Sequence, residues 1–137
     1  MADSDATQLQ VELVAADRSV WSGQATMVIA KTADGDVGVL RDHTPILSLL
    51  VDGVVEITSV DGEQLFAAVD GGFISVAHNR VSILSEHAAL SHEIDLDEAR
   101  AEAEAGEAES ADQEAQARGR AAQARVRAFE RAARPLG

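Results

Sequence analysis

His43 is the residue of this chain whose surroundings most resemble a chemical site. It stands two positions before Pro45, in a stretch punctuated by Gly35 and Gly38. Histidine can serve as a general base or a metal ligand, and glycine and proline shape loops that a partner can contact. No motif places a serine or cysteine nucleophile beside His43, and no paired carboxylates recur at a metal spacing. The pattern therefore favours a turn histidine bonded to loop backbone, and we expect no catalytic residue and no metal site.

The other histidines form no metal-binding pattern. His87 and His92 are five positions apart, and His78 lies upstream. A zinc site on a helix needs a closer pair, such as two histidines four apart. The chain also has no cysteine, so it has neither disulfides nor thiolate ligands. We interpret the segment that carries His87 and His92 as a solvent-exposed linker.

A second group of residues combines an acid with arginines. Asp97 and Arg100 are three positions apart near the start of a predicted helix, where the helix dipole favours an acid. Arg127 and Arg131 are four apart on a second predicted helix. If the chain turns near residue 109, both arginines come back beside Asp97. Taken alone, these residues suit a structural network of ion pairs.

Short strands must position the loop that carries His43. Leu9, Val11 and Leu13 alternate with polar residues, as in a half-buried strand. Asp61-Gly62 is a strong hairpin signal, and similar turn signals recur at regular intervals. Helical periodicity is absent before residue 93. We predict a flattened β-sandwich of about ten short strands.

Two helices must position the acid and the arginines. From residue 93 onward alanine, glutamate and arginine dominate. Asp95, with Glu98 three residues later, predicts a capped helix that runs to about Glu107. Ser110 and Gln113 repeat the signal for a second helix. The short connection predicts an antiparallel two-helix hairpin.

The second helix, which Pro135 should end, carries one stripe of mostly small apolar residues. Its members are Ala115, Gly119, Ala122, Val126, Phe129 and Ala133. Residues 93–114 hold ten acidic side chains and one arginine, whereas residues 115–137 hold six arginines and one glutamate. Each exposed ion pair contributes only about 0–1 kcal/mol. The hairpin should therefore be held only weakly on the sandwich.

Length and charge complete the outline. We divide the 137 residues into a disordered tail over residues 1–7, a β-sandwich over 8–87, a linker over 88–93 and a helical hairpin over 94–137. The net charge of −13 argues against nucleic acid as a partner. No apolar run approaches the roughly 20 residues that span a bilayer, and the polar N-terminus is unlike a signal peptide. We expect a soluble, intracellular protein.

One stretch carries a family resemblance. Residues 35–47 contain the string G-x-x-G-V-L-x-x-H-x-P-I-L, and two later motifs follow, Gly71-Gly72-Phe73 and Asn79-Arg80-Val81. Together they resemble the ε subunit of bacterial F-type ATP synthases, over about residues 7–137. The family usually has proline where this chain has Arg41, and glycine where it has Asp42.

This resemblance implies a non-catalytic central-stalk (rotor) subunit of a proton-translocating ATP synthase. The sandwich would dock on the γ subunit and on the c-ring and couple them to the catalytic head. The docking loop would lie over residues 31–43, with docking residues Gly35, Gly38, Arg41, Asp42 and His43. The protein would lie peripherally at the cytoplasmic face of the bacterial plasma membrane, associated with the membrane only through the complex.

The resemblance also implies that the hairpin is mobile and inhibits ATP hydrolysis by contacting the catalytic β subunits. Leu96 to Ala101 match the motif I/L-D-x-x-R-A, which some ε subunits use to bind regulatory ATP, and guanidinium groups suit phosphate oxygens. Asp97, Arg100, Arg127 and Arg131 are the candidate nucleotide-binding residues. Glu107 stands where nucleotide-binding members carry another arginine, so weak ATP binding and a purely structural ion-pair network both stay open.

A free-standing ligand-binding β-sandwich with a helical, nucleotide-sensing tail is the alternative function. Co-purification separates the two hypotheses, because a rotor subunit travels with a large ATPase complex.

Overall fold

The computed structural model describes residues 8–108 and 112–133. Nine strands form its first part: β1 (Leu9–Ala15), β2 (Arg18–Thr32), β3 (Gly35–Val39), β4 (Ile46–Leu49), β5 (Gly53–Ser59), β6 (Gln64–Val69), β7 (Phe73–Ala77), β8 (Arg80–Ser85) and β9 (Ala88–Leu90). Two helices follow, α1 (Leu96–Glu107) and α2 (Gln113–Ala133). The predicted fold class, a β-sandwich followed by two helices, is confirmed. The expected disordered tail, residues 1–7, lies outside the described residues.

Hydrogen bonds join eight strands in the order β4-β7-β8-β1-β2-β5-β6-β9, and β3 pairs with β2. The fifteen-residue strand β2 pairs with β1 through its first part and with β3 and β5 through its second. The register shifts between Leu13 and Val14, and again between Ala25 and Met27. Such irregularities bend and twist a strand. They let one connected sheet close over a core.

The main core lies between the inward faces of the strands. Leu9, Val11 and Leu13 are fully buried, which confirms the alternation predicted for this segment. The largest fully buried side chains are all leucine, isoleucine or valine, and burying one of these contributes about 1.5–3 kcal/mol. Among the described residues, the helices contribute no side chain to this core. The sandwich therefore has a core of its own.

Strand β6 is buried on both faces. Phe66, Ala67, Ala68 and Val69 are all buried. Ala67 and Val69 belong to the main core, whereas Ala68 packs against the helices. A strand covered on both faces has a continuous apolar sequence rather than an alternating one, as LFAAV does here.

Helix α1 begins and ends where the sequence predicts. The Asp95 side chain accepts a hydrogen bond from the N–H of Glu98 at 3.1 Å, and the helix ends at Glu107. Ala99 is its one buried residue. Across residues 8–108 and 112–133, no helix combines the length and the apolar character that a membrane span requires.

Helix α2 begins at Gln113, directly after Asp112. The Asp112 side chain accepts a hydrogen bond from the N–H of Ala115 at 2.8 Å, as an N-cap residue does. The sequence pattern predicts Ser110 in this role, but Ser110 lies outside the described residues. So does Pro135, which was expected to end the helix.

Helix α2 packs both on α1 and on the outer faces of β5 and β6. Of the predicted stripe, Gly119 and Ala122 are buried, Ala115, Val126 and Phe129 are partly buried, and the Ala133 side chain is not described. Ala124 and Ala128, which lie outside that stripe, are also fully buried, in one cluster with Ala68 of β6. The helix has a second buried face because it touches two neighbours.

The segment 88–93, which the sequence analysis treats as a linker, is joined to the sandwich. Strand β9 pairs with β6, and a 3₁₀ turn, Ser91–Glu93, follows it. Arg18 donates to both carboxylate oxygens of Glu93, at 2.9 and 3.3 Å, and the N–H of Leu90 donates to the same carboxylate at 3.0 Å. Partial burial opposes the charged form, but these donors outweigh it and lower the pKa of Glu93. The chain is thus tied to the sandwich as far as Glu93.

Candidate functional site

The loop between β3 and β4 carries Arg41, Asp42 and His43, three of the five predicted docking residues. Asp42 has a φ of +66°, a left-handed conformation that glycine adopts without steric cost. Its N–H donates to Oδ1 of Asn79 at 2.6 Å, and Nδ2 of Asn79 donates back to Oδ1 of Asp42 at 3.2 Å. These two bonds fasten the loop to the turn between β7 and β8.

His43 is held by its own loop. Its Nδ1 lies 2.6 Å from the carbonyl oxygen of Thr44, and its N–H donates to the carbonyl oxygen of Leu40 at 3.2 Å. The Nε atom of Arg41 lies 3.5 Å from Oδ2 of Asp42. This is the geometry of a turn histidine bonded to loop backbone.

Gly35 lies apart from that loop, at the opposite end of β3, whereas Gly38 lies near the loop end of the strand. Gly35 is at the turn between β2 and β3, with a φ of +118°. There Oγ1 of Thr32 donates to the carbonyl oxygen of Gly35 at 2.6 Å and accepts from the N–H of Asp34 at 3.2 Å. Because β3 rises about 3.3 Å per residue, about 13 Å separate its two ends. The five predicted docking residues therefore occupy both ends of one strand rather than one cluster.

An exposed apolar row, which the sequence patterns did not predict, crosses three strands and consists of Leu49, Phe73 and Leu84. Leu49 of β4 is paired with Phe73 of β7, and Phe73 with Leu84 of β8. Leu49, Phe73 and Leu84 are 55%, 48% and 52% exposed, and Leu47 of β4 is 73% exposed. Strands lie about 4.8 Å apart, so the row from Leu49 to Leu84 is about 10 Å long. Exposed apolar patches of this kind mark interaction sites.

One signal in the sequence indicates part of this row. Phe73 directly precedes Ile74, and Leu84 directly follows Ile83. Since successive side chains of a strand point to opposite faces, one residue of each pair must face outward. Only the strand register places Phe73 and Leu84 side by side.

The hairpin brings two of the four candidate nucleotide-binding residues together. Arg100 and Arg127 line one cavity of about 250 Å³ between the helices, which Glu104 and Glu107 also line. Arg100 faces Glu130, with 4.0 Å between their nitrogen and oxygen atoms. The cavity can attract a phosphate through its guanidinium groups, but its carboxylates oppose one.

The other two candidates are placed elsewhere. Arg131 turns toward the sandwich, where it donates to Glu56 of β5 at 2.5 Å and lies 5.5 Å from the ring centre of Phe66. Arg127 and Arg131 both line a second cavity, of about 330 Å³, so Arg127 stands between the two cavities. Asp97 is exposed in the first turn of α1.

Ser85, Asp70 and His87 form a hydrogen-bonded network that the sequence analysis did not predict. Nδ1 of His87 lies 2.6 Å from Oδ2 of Asp70, and the N–H of His87 donates to Oδ1 at 3.0 Å. The Ser85 hydroxyl donates to the carbonyl oxygen of His87 at 2.9 Å, not to its ring, so this is not the geometry of a catalytic triad. Hydrogen bonding and charge from Asp70 raise the pKa of His87. No group of three potential metal ligands occurs in the described part of the chain.

Comparison with known proteins identifies the family. Residues 8–91 match the family model of the ATP synthase, Delta/Epsilon chain, beta-sandwich domain. The ATP synthase epsilon chain of Streptomyces avermitilis is 54% identical over 99 residues, which cover 72% of this chain and 80% of that one. This chain belongs to the ATP synthase epsilon chain family. The epsilon chain of Rhodococcus opacus is 50% identical over 102 residues, which cover 73% of this chain and 84% of that one.

Two solved structures resemble the whole architecture. A chain of the Euglena gracilis mitochondrial ATP synthase, in a cryo-EM structure of OSCP/F1/c-ring, is 25% identical with a TM-score of 0.67, and the match covers 92% of this chain and 81% of that chain. A chain of the Tetrahymena thermophila mitochondrial ATP synthase central stalk and c-ring is 17% identical with a TM-score of 0.53 and covers 90% and 95%. The second shows the fold alone. Both matches are long enough to include helices as well as the sandwich.

Substitutions at Asp42 should separate the cost of its backbone conformation from the value of its bonds to Asn79. Asp42→Gly keeps a residue suited to φ of +66°, whereas Asp42→Ala forces a Cβ into this region without the side-chain bonds that compensate for it. We expect the alanine variant to be less stable than the glycine variant by about 1–2 kcal/mol. Urea unfolding followed by fluorescence of the single tryptophan, Trp21, measures the difference. Equal stability would show that the left-handed backbone costs nothing here.

The raised pKa of His87 predicts a pH dependence that Asp70 controls. A raised folded-state pKa means that the pair stabilises the fold fully below the ordinary pKa of about 6.5 and stops doing so as pH rises through the folded-state value. An NMR titration of the His87 ring should therefore give a lower pKa in Asp70→Asn than in the parent. Ser85→Ala, which keeps the carboxylate, is the matched control. Identical His87 titrations in the parent and in Asp70→Asn would show that the Asp70 carboxylate does not raise the pKa of His87.

Proposed function

We propose that this chain is a non-catalytic rotor subunit in the central stalk of a proton-translocating bacterial ATP synthase. In this proposal the sandwich docks on the γ subunit and on the c-ring and couples rotation of the ring to the catalytic head. The complex holds the subunit peripherally at the cytoplasmic face of the plasma membrane. Membership of the epsilon chain family supports the proposal, as does the likeness to a chain from a structure of F1 with its c-ring.

The observation that carries this proposal is the apolar row formed by Leu49, Phe73 and Leu84. The main core of the sandwich is complete without these side chains, so folding alone does not explain them. Covering apolar surface stabilises a complex by about 25 cal/mol per Å². We assign the row to the interface with the γ subunit, because its exposed apolar side chains lie side by side where another folded subunit can cover them.

The polar ends of β3 suit a different partner. The turn at Gly35 carries Asp34 and Asp36, and the loop beyond the strand carries Arg41 and Asp42, all of them exposed. Such charged, hydrogen-bonded turns suit the water-facing loops of a membrane ring. We therefore assign the two ends of β3, including His43 and Gly38, to docking on the c-ring.

We further propose that the hairpin leaves the sandwich and slows ATP hydrolysis by contacting the catalytic β subunits. Its attachment consists mainly of alanine contacts, Arg131–Glu56 and the packing of Arg131 on Phe66. Such contacts amount to a few kcal/mol, so a comparable set of new contacts can invert the population. Arg118 and Arg120 are exposed on α2 and are available to an acidic segment.

ATP enters this proposal as a weak regulatory ligand of the hairpin. In this proposal Arg100 of α1 and Arg127 of α2, which line one cavity, hold phosphate oxygens, and Asp97 lies in the first turn of α1. Arg131 can join them only by leaving Glu56. Together with the carboxylates of the cavity, this competition keeps the affinity low.

Removing the apolar row should weaken docking without unfolding the sandwich. Phe73 and Leu84 are already about half buried, so docking would cover only the remaining half of each side chain. Replacing both by serine should cost about 1.5–3 kcal/mol of binding free energy. This loss corresponds to about a tenfold or greater decrease in affinity for the γ subunit. Calorimetric titration with the γ subunit measures this loss, and Trp21 fluorescence reports folding. Val60→Ser, at a 44% exposed valine after β5, is the matched control. Equal affinity in all three proteins would contradict the assigned interface.

Deleting residues 118–137 should raise the rate of ATP hydrolysis by the assembled enzyme. The deletion removes every arginine of α2 and leaves the main core of the sandwich intact. Added salt should partly reproduce the effect in the parent enzyme, because ions screen exposed charges. Co-purification with the γ subunit confirms assembly of the shortened chain. Equal rates with and without these residues, across salt concentrations, would leave the hairpin without a regulatory role.

Arg127→Ala should weaken binding of Mg-ATP at least about tenfold, because losing one charge-assisted contact costs about 1.5–3 kcal/mol. Isothermal titration of the isolated protein measures the affinity, with ADP as a second ligand. Arg118→Ala removes an equal charge from the same helix, outside both cavities that Arg127 lines, and is the control. If the two variants bind alike, or the parent does not bind, the arginines form only an ion-pair network.

A further inference from the structure

Gly106 of α1 and Gly119 of α2 face each other where the two helices cross. A Cβ built on Gly106 would lie 2.6 Å from the Cα of Gly119 and 3.0 Å from the carbonyl oxygen of Ala115. A Cβ built on Gly119 would lie 2.7 Å from the Cα of Gly106. All these neighbours are backbone atoms, which no change of rotamer can move. Neither position can accept a methyl group while the helices remain paired at this distance.

Helix structure alone does not explain these glycines. Gly119 is the seventh residue of a 21-residue helix, where glycine is less favourable than alanine. Gly106 lies in the last turn of α1, but the C-cap is Ala108 and Gly106 does not have a positive φ. It therefore does not serve as the left-handed glycine that commonly ends a helix.

The helices also meet at Ala99 of α1, which is buried in one cluster with Ala124 and Ala128 of α2. Side-chain pairs nearer the surface join them as well. Arg125 pairs with Glu102, Nε2 of Gln123 donates to Glu107 at 2.8 Å, and Arg100 faces Glu130. Exposed pairs of this kind are individually weak. They also require the helices to be close already, and the contact between the two glycines is what permits that approach.

We infer that the Gly106–Gly119 contact sets the balance between paired and separated helices. A methyl group at the crossing blocks pairing of the helices. At Gly119 it also raises the helix propensity of α2, which stabilises this helix when it is separated. Both effects therefore favour the separated helices. One consequence rests on the proposed regulatory function: a hairpin that separates more readily contacts the catalytic β subunits more often and slows ATP hydrolysis.

Spin labels can measure the separation in the full chain. The chain has no cysteine, so labels attach only to cysteines introduced at Ala105 and Ala117, which are exposed on α1 and α2. The parent should give one narrow distribution of distances between the labels, centred at a short distance. Gly106→Ala and Gly119→Ala should each lose this short-distance population in favour of longer, broader distances.

Two controls separate the contact from helix propensity. Ala101→Gly, at an exposed position of α1, lowers helix propensity without touching the crossing and should keep the short distance. The double variant Gly106→Ala with Ala101→Gly leaves the amino-acid composition of α1 unchanged. It should still lose the short distance between the labels. Unchanged unfolding of the sandwich, followed at Trp21, shows that each variant is folded. Retention of the short distance in both Gly→Ala variants overturns the inference.

A separate measurement, the rate of ATP hydrolysis by the assembled enzyme, tests the consequence for regulation. The Gly→Ala variants should hydrolyse ATP more slowly than the parent and than Ala101→Gly. If the distance lengthens and the rate does not fall, the inference stands and the proposed brake on hydrolysis fails. If the distance stays short, the inference fails whatever the rate.

Discussion

Alanine side chains hold α2 against the sandwich, and their small size determines the character of the C-terminal part. Ala124 and Ala128 pack with Ala68 of β6 and with Ile94, which precedes α1. Such contacts bring the helix close to the sheet but bury little apolar area, and the hydrophobic free energy scales with that area. The attachment therefore depends on a few added polar contacts, of which Arg131 to Glu56 is the clearest.

The sandwich has the opposite character. Its core of leucine, isoleucine and valine is closed without the helices, and the bonds from Arg18 to Glu93 hold the chain to it up to the start of the helical part. A rigid body and a lightly attached hairpin thus meet just after Glu93. The proposed rotor function, in which the sandwich docks firmly and the hairpin moves, needs both properties.

The proposed docking surfaces arise from contacts between distant parts of the chain. Asn79 holds Asp42 in a left-handed backbone conformation, which glycine adopts without steric cost. Register across β4, β7 and β8 turns single leucine and phenylalanine residues into one apolar row. Neither feature involves chemistry of the kind that an active site requires. Both features fit the proposed docking of this chain on other subunits.

The sequence by itself determined the local elements. The alternation of Leu9, Val11 and Leu13 and the cap at Asp95 depend on neighbours in the chain, and the structure confirms both. Family membership also follows from local motifs. Only the tertiary structure decided which faces meet: the double burial of β6, the second buried face of α2, and the turn of Arg131 toward Glu56. These depend on strand register and on the side from which a helix approaches, and periodicity within one segment does not specify its partner.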